Sequence, residues 1–151
     1  MKVMILAAGY GKRMLPLTKT TPKPLLKVGG KTLIQRNIEA LLDEGFEEFI
    51  INTSYLGSMI RDHVSEKFPS IKVNFSEEDE PLGTGGGIVK ALSLIGEDSF
   101  ILINADLEVS NLIVDNRPKE STNLTHLSIV DFGFFNLVQG SSLILHDSSF
   151  T

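Results

Sequence analysis

The chain has 151 residues, 42% of them hydrophobic and 22% charged, as expected of one globular domain long enough to bury a core. It contains no cysteine, which excludes disulfide scaffolds, zinc–thiolate sites and cysteine nucleophiles. Its net charge of −5 argues against a nucleic-acid binder.

The charge is unevenly placed. No Asp or Glu precedes Glu39, while Lys2, Lys12, Arg13, Lys19, Lys23, Lys27, Lys31 and Arg36 all fall before it. On charge alone, a basic end on an acidic protein fits a local anion site such as a phosphate pocket as well as it fits a solvated basic face.

Lys2–Ala7 is a short apolar run bounded by glycine, which suits a buried strand. The run Val3–Ala8 is too short for a secretion-signal core or a membrane span, so a cytoplasmic protein without a membrane partner is expected. Ala8–Lys31 is rich in Gly, Pro, Thr and Lys and has no clean period, so it reads as a long loop. Long loops in compact domains are usually functional or disordered. Thr32 can cap a helix running to about Asp43, with Leu33, Ile34, Ile38, Leu41 and Leu42 on its buried side and Gly45 past its end.

Glu48–Asn52 reads as a second strand, Leu56–Phe68 as a helix, and Ile71–Phe75 as a third strand. Glu77–Gly87 reads as a loop, Ile88–Ile95 as a short helix and Ser99–Asn104 as a fourth strand. The repeating strand–helix order predicts an α/β fold, a Rossmann-like, doubly wound and mostly parallel sheet with right-handed crossovers. Ligands of such sheets sit at the carboxyl ends of the strands. Segments 8–24, 79–87 and 104–106 all follow predicted strands and should meet on one edge. Beyond Leu107 the pattern weakens; Leu124–Val130 resembles a strand and Leu143–Leu145 half of a hairpin.

Four segments carry chemistry. In Leu6-Ala7-Ala8-Gly9-Tyr10-Gly11-Lys12-Arg13, small residues after a strand let backbone amides approach phosphate oxygens. Arg13 can fork onto a phosphate and Lys12 adds charge. The spacing matches neither the P-loop nor the dinucleotide fingerprint, which also needs an acid about twenty positions on. By itself such a glycine turn is more often an ordinary loop. In Pro22-Lys23-Pro24, two prolines stiffen the backbone around one lysine, an aimed point charge or a plain surface turn.

The third segment is Glu80-Pro81-Leu82-Gly83-Thr84-Gly85-Gly86-Gly87. Its glycines let backbone lie against something flat or crowded such as a base and ribose, or form a flexible turn. In Asn104-Ala105-Asp106, a carboxylate at a strand end is placed to hold Mg²⁺ on a nucleotide phosphate, or to cap a turn. His63, His126 and His146 are scattered without partners at catalytic spacing, and His63 is expected on a solvated helix face.

LAAGYGKRMLPLTKTTPKPL, PLGTGGG and the strand-terminal NAD together resemble the nucleotidyltransferase superfamily that activates sugar 1-phosphates. Within it the sequence is most similar to N-acetylmuramate-1-phosphate uridylyltransferases, and more loosely to mannose-1-phosphate guanylyltransferases. The resemblance covers residues 1–107 well and 124–151 faintly. It implies one domain over 1–151, with a nucleotide-binding core to 107 and a partial sugar-binding part over 108–151.

It further implies a nucleoside triphosphate, UTP by preference, and a sugar 1-phosphate as substrates, Mg²⁺ as cofactor and pyrophosphate as product. By the same resemblance Leu6, Ala7, Ala8, Gly9, Gly11 and Arg13 hold the triphosphate. Lys23 touches the reacting phosphates, Pro81, Gly83, Thr84, Gly85 and Gly86 face base and ribose, and Asp106 ligates the metal. Where the family has Gly-Asp this chain has Ala105-Asp106, which places a methyl where backbone crowds a ligand.

The family's second metal aspartate lies beyond a Phe-Ser-Gly-containing strand, and no residue here is assigned to it. Little turnover by the 151-residue chain is therefore expected, with Phe132, Phe134, Phe135 and Phe150 left exposed. The alternatives are a truncated, non-catalytic nucleotide-binding domain and choline-phosphate cytidylyl transfer.

Overall fold

The computed structural model describes residues 1–106 together with the strands 128–130 and 135–138. Strand β1 (Lys2–Leu6) is followed by three single 3₁₀ turns, Lys12–Met14, Leu17–Lys19 and Lys23–Leu25, and by a small hairpin of β2 (Lys27–Val28) and β3 (Lys31–Thr32). Then come α1 (Leu33–Asp43), β4 (Glu48–Thr53), α2 (Gly57–Lys67), β5 (Lys72–Glu77), α3 (Gly83–Ile95) and β6 (Phe100–Asn104). Strands β7 (Ser128–Val130) and β8 (Phe135–Val138) complete the described elements.

The main sheet runs β5-β4-β1-β6-β8-β7. Strands β5, β4, β1 and β6 are parallel, while β8 runs antiparallel to both β6 and β7. This is the expected doubly wound, mostly parallel α/β sheet. The chain steps outward from β1 to β4 and β5 and then returns to the other side of β1 as β6, so the strand order reverses at β1. In an open α/β sheet such a reversal opens a crevice at the carboxyl ends of the strands.

The near-continuous apolar runs of the central strands follow from burial on both faces. Val3, Ile5, Phe49, Ile51, Ile101 and Ile103 join Ile34, Ile38 and Leu41 of α1 and Ile60 and Val64 of α2 in one cluster. Met4, Ile50 and Leu102 face Ile88, Ala91 and Ile95 of α3 in the other. Each buried side chain of this size contributes roughly 1.5–3 kcal/mol of transfer free energy. The Thr32 hydroxyl accepts from the Gln35 N–H at 3.2 Å and starts α1 as its cap, as expected. Gly45 follows the helix with φ +87°, a conformation other residues rarely adopt.

Two sequence expectations, on the start of α3 and on the loop after β1, are corrected, and the strand expected near residue 130 is present in part. Helix α3 begins at Gly83, five residues before Ile88, so the glycine run lies inside its first turn. Ala8–Lys31 is not featureless, since it holds the three 3₁₀ turns and the β2–β3 hairpin. Within Leu124–Val130 the structure describes Ser128–Val130 as a strand, and β8 has no counterpart in the sequence reading. Leu143–Leu145, Phe132, Phe134 and Phe150 lie outside the described residues.

Candidate functional site

A cavity of about 280 Å³ opens at the carboxyl ends of β1, β4, β5 and β6. Leu6, Ala7, Ala8, Gly9 and Gly11 line it from the loop after β1, and Lys23 and Pro24 from the third 3₁₀ turn. Asn52, Glu78, Pro81, Gly83 and Thr84 supply one wall, and Asn104, Ala105 and Asp106 the other. The three segments expected to meet do so. Arg13 is exposed and, with Gly85 and Gly86, lies outside this lining.

The loop after β1 is shaped by Gly11, which has φ +64°. A Cβ there would also stand 2.8 Å from Thr18 Cγ2, so glycine is required twice over. The Thr18 hydroxyl, fully buried, donates to the Gly11 carbonyl at 2.8 Å and ties the loop to the second 3₁₀ turn. A Cβ at Gly9 would meet nothing within 4 Å, so that stretch of backbone faces open space. The Ala7 N–H is already engaged by the Asn52 side-chain oxygen at 2.7 Å, so it is not available to a ligand in the cavity.

Lys23 and Asp106, far apart in sequence, form an ion pair at the cavity, and both side chains are about one-third exposed, at 31% and 33%. Pro22 and Pro24 are buried on either side of Lys23, which holds its backbone against the core. Asp106 is set by backbone contacts on its neighbour: the Ala105 N–H donates to the Leu6 carbonyl at 3.0 Å, and Asn37 Nδ2 donates to the Ala105 carbonyl at 3.1 Å. Ala105 is 1% exposed and belongs to the main core cluster, so its methyl packs into the core where the sequence reading had it crowding a ligand.

Among the described residues no three or more His, Asp or Glu side chains converge as a metal cage. Asp106 presents a partly exposed carboxylate of the kind Mg²⁺ takes, while both oxygens of Glu78, the other carboxylate lining the cavity, accept hydrogen bonds from Asn52 and the Leu82 N–H. Mg²⁺ sites often use one or two carboxylates plus phosphate oxygens. The donor set thus fits a cation shared with a bound polyphosphate and does not fit a cation held by protein alone.

Sequence reasoning missed Asn52 and Glu78, which are 2% and 5% exposed and form a polar floor to the cavity. It also set His63 on a solvated face. His63 Nε2 lies 2.9 Å from Thr32 Oγ1 and lines a second cavity of about 450 Å³, with Lys27, Lys31 and Lys67. Burial and, after it, the Lys67 charge hold the His63 pKa below its ordinary 6.5.

Fold and site together define a doubly wound α/β domain with a cavity at the carboxyl ends of its parallel strands. The nucleotidyl transferase family profile matches residues 2–122, and the chain belongs to that family. It is 47% identical over 110 residues to N-acetylmuramate alpha-1-phosphate uridylyltransferase of Neisseria meningitidis serogroup B, covering 71% of this chain and 47% of the relative. It is 38% identical to the mannose-1-phosphate guanylyltransferase catalytic subunit beta of Xenopus tropicalis, over 71% of this chain and 31% of that one. Among solved structures, HddC from Yersinia pseudotuberculosis complexed with GMP-PN superposes with a TM-score of 0.63 at 40% identity, over 70% of this chain and 47% of that chain. The chain therefore spans half or less of the length of these relatives. No helix among the described residues is long and apolar enough to cross a membrane.

Proposed function

We propose that this chain carries the nucleotide-binding part of an enzyme that transfers the uridylyl group of UTP to a sugar 1-phosphate. A phosphate oxygen of the sugar 1-phosphate attacks the α-phosphorus. The new P–O bond forms as the bond to the bridging α–β oxygen breaks, and pyrophosphate leaves with the electron pair. Such a step needs positioning and charge neutralisation and no protein nucleophile.

The observation that carries the reading is the convergence of Lys23 and Asp106 with the loop after β1 and the start of α3 around one cavity. Amides after Ala7, with Arg13 at the rim, suit the triphosphate, while Pro81, Gly83 and Thr84 suit base and ribose. Gly86 serves that wall indirectly, since a Cβ there would stand 2.6 Å from Leu82 Cβ. Asp106 would hold Mg²⁺, which when bound offsets the charge of the triphosphate. Lys23 then turns from Asp106 to the reacting phosphates as a positive point charge. A cytoplasmic location belongs to the same proposal, in keeping with a nucleoside triphosphate donor. UTP is preferred over GTP because the relative at 47% identity is a uridylyltransferase while those at 38% are guanylyltransferases.

A second reading, a domain that holds nucleotide without turning it over, is favoured by the lack, among the described residues, of any group of three or more metal-ligating side chains around Asp106. The test is pyrophosphate release by the purified chain, at concentrations that detect one turnover, with UTP, GTP and CTP against sugar 1-phosphates and phosphocholine. Release that needs UTP and a sugar 1-phosphate together supports the proposal. Preference for GTP, or for CTP with phosphocholine, overturns the substrate assignment. UTP binding without release selects the second reading.

A further inference from the structure

The floor of the cavity holds an unbroken chain of hydrogen bonds that joins its two sides. It starts at the end of β1, where the Ala7 N–H donates to Asn52 Oδ1 at 2.7 Å. Asn52 Nδ2 then donates to Glu78 Oε1 at 2.7 Å. Glu78 Oε2 in turn accepts the Leu82 N–H at 2.8 Å, at the residue that opens α3. The Glu78 N–H donates to the Thr53 carbonyl at 2.7 Å, which anchors that carboxylate to β4. The orientation of the Asn52 amide is fixed by its partners: a backbone N–H on one side demands an acceptor, and a carboxylate on the other demands a donor.

Two features make this more than ordinary packing. Glu78 is 5% exposed and forms no ion pair among the described residues, so its buried carboxylate relies on the Asn52 and Leu82 N–H donors alone. An apolar pair of similar size would fill the same space but leave the Ala7 and Leu82 N–H groups without acceptors, whereas the satisfied polar network fixes one geometry. Gly87 keeps α3 pressed onto the network, since a Cβ there would stand 2.6 Å from Asn52 Nδ2 and 2.8 Å from Glu78 Oε1. Gly87 thus explains itself by protein contact without any ligand.

We infer that Asn52 and Glu78 are positioning residues that set the span between the loop after β1 and the turn opening α3, so that one nucleotide engages both at once. The inference rests on the nucleotide reading above, in which those two segments take the phosphates and the nucleoside. A ligand held at two ends gains from the second contact only when the spacing matches its length. A misplacement of about 1 Å can cost on the order of 10²-fold.

The test exploits the direction of the hydrogen bonds. Asn52→Asp alone sets two carboxylates face to face. Glu78→Gln alone leaves an amide to oppose one of the two N–H donors. In the double variant Asn52→Asp/Glu78→Gln the polarity of the central bond is reversed. The new carboxylate accepts from Ala7 N–H and from the new amide NH₂, and the new amide oxygen accepts from Leu82 N–H, with the buried charge retained.

Each single variant is expected to weaken UTP binding on the order of 10- to 100-fold while pyrophosphate and uridine, measured separately by NMR shift titration, change less than about twofold. The double variant is expected to recover most of the UTP affinity. Equal weakening of all three ligands would overturn the inference in favour of general destabilisation. Failure of the double variant to recover would overturn it in favour of a direct ligand contact by the Glu78 carboxylate.

Hydrogen exchange of the Leu82 amide separates this inference from the nucleotide reading. Protection lost in each single variant and regained in the double one supports the strut even if no nucleotide bound, an outcome that would sink the nucleotide reading alone. Protection unchanged in the single variants overturns the strut itself.

Discussion

Lys23 meets Asp106 as a partly exposed ion pair, and such pairs are worth about 0–1 kcal/mol. Lys23→Ala should therefore leave the melting temperature nearly unchanged. Removing one aimed electrostatic donor typically costs on the order of 10²–10³ in rate, so any turnover should fall by that factor. Thermal melts beside single-turnover assays check this, and a variant with a clearly lowered melting temperature but unchanged turnover and nucleotide affinity would reverse the assignment. His63 gives a pH prediction. Its folded pKa lies below 6.5, mainly through burial and then the Lys67 charge, opposed by Glu66. The unfolded chain takes up the proton first, so the contribution of this group to stability is complete above about pH 6.5. It is lost as the pH falls from there through the lower folded value. His63→Gln should flatten the pH dependence of the melt in that window. NMR titration of the ring to a midpoint above 6.5 would contradict the prediction. None of this was legible in the sequence around His63, where Arg61, Asp62 and Glu66 suggest only a solvated face, because Thr32 comes from another element.

At the scale of elements, helices with a clear period and local caps were legible. Thr32 and Gly45 bracket α1 in sequence and in space. Thr32→Ala removes the cap and the His63 partner together and should cost about 1 kcal/mol without altering nucleotide affinity. Urea unfolding of the two proteins measures this, and coincident curves would mean the cap contributes nothing. The start of α3 was not legible. Gly83, Gly85, Gly86 and Gly87 are poor helix formers, yet the turn is held by Glu78 accepting the Leu82 N–H and by close packing on Asn52. The 3₁₀ turns were missed for a related reason. Three-residue turns have no period to read, and theirs are held by contacts such as Thr18 to Gly11.

Over the whole molecule, the alternation of strands and helices was enough to predict which strand ends would gather into a site. The strand order reverses at β1, and the segments after β1, β5 and β6 meet there as the sequence order implies. The polar floor of Asn52 and Glu78 was hidden because each reads as an ordinary residue at the end of a strand, and only the parallel pairing of β4 with β5 brings them together. The uneven charge also has a structural sense: Lys23 comes from the acid-free N-terminal stretch, and Asp106 from the acidic remainder.

The central claim is that this crevice binds a nucleotide through a metal held at Asp106. Its most direct test is UTP affinity measured with and without Mg²⁺ for the wild-type chain and for Asp106→Asn. Mg²⁺ should tighten UTP binding to the wild-type chain by about tenfold or more, a difference of about 1.4 kcal/mol, and Asp106→Asn should abolish this gain. Magnesium titrations that coincide for the two proteins would contradict it.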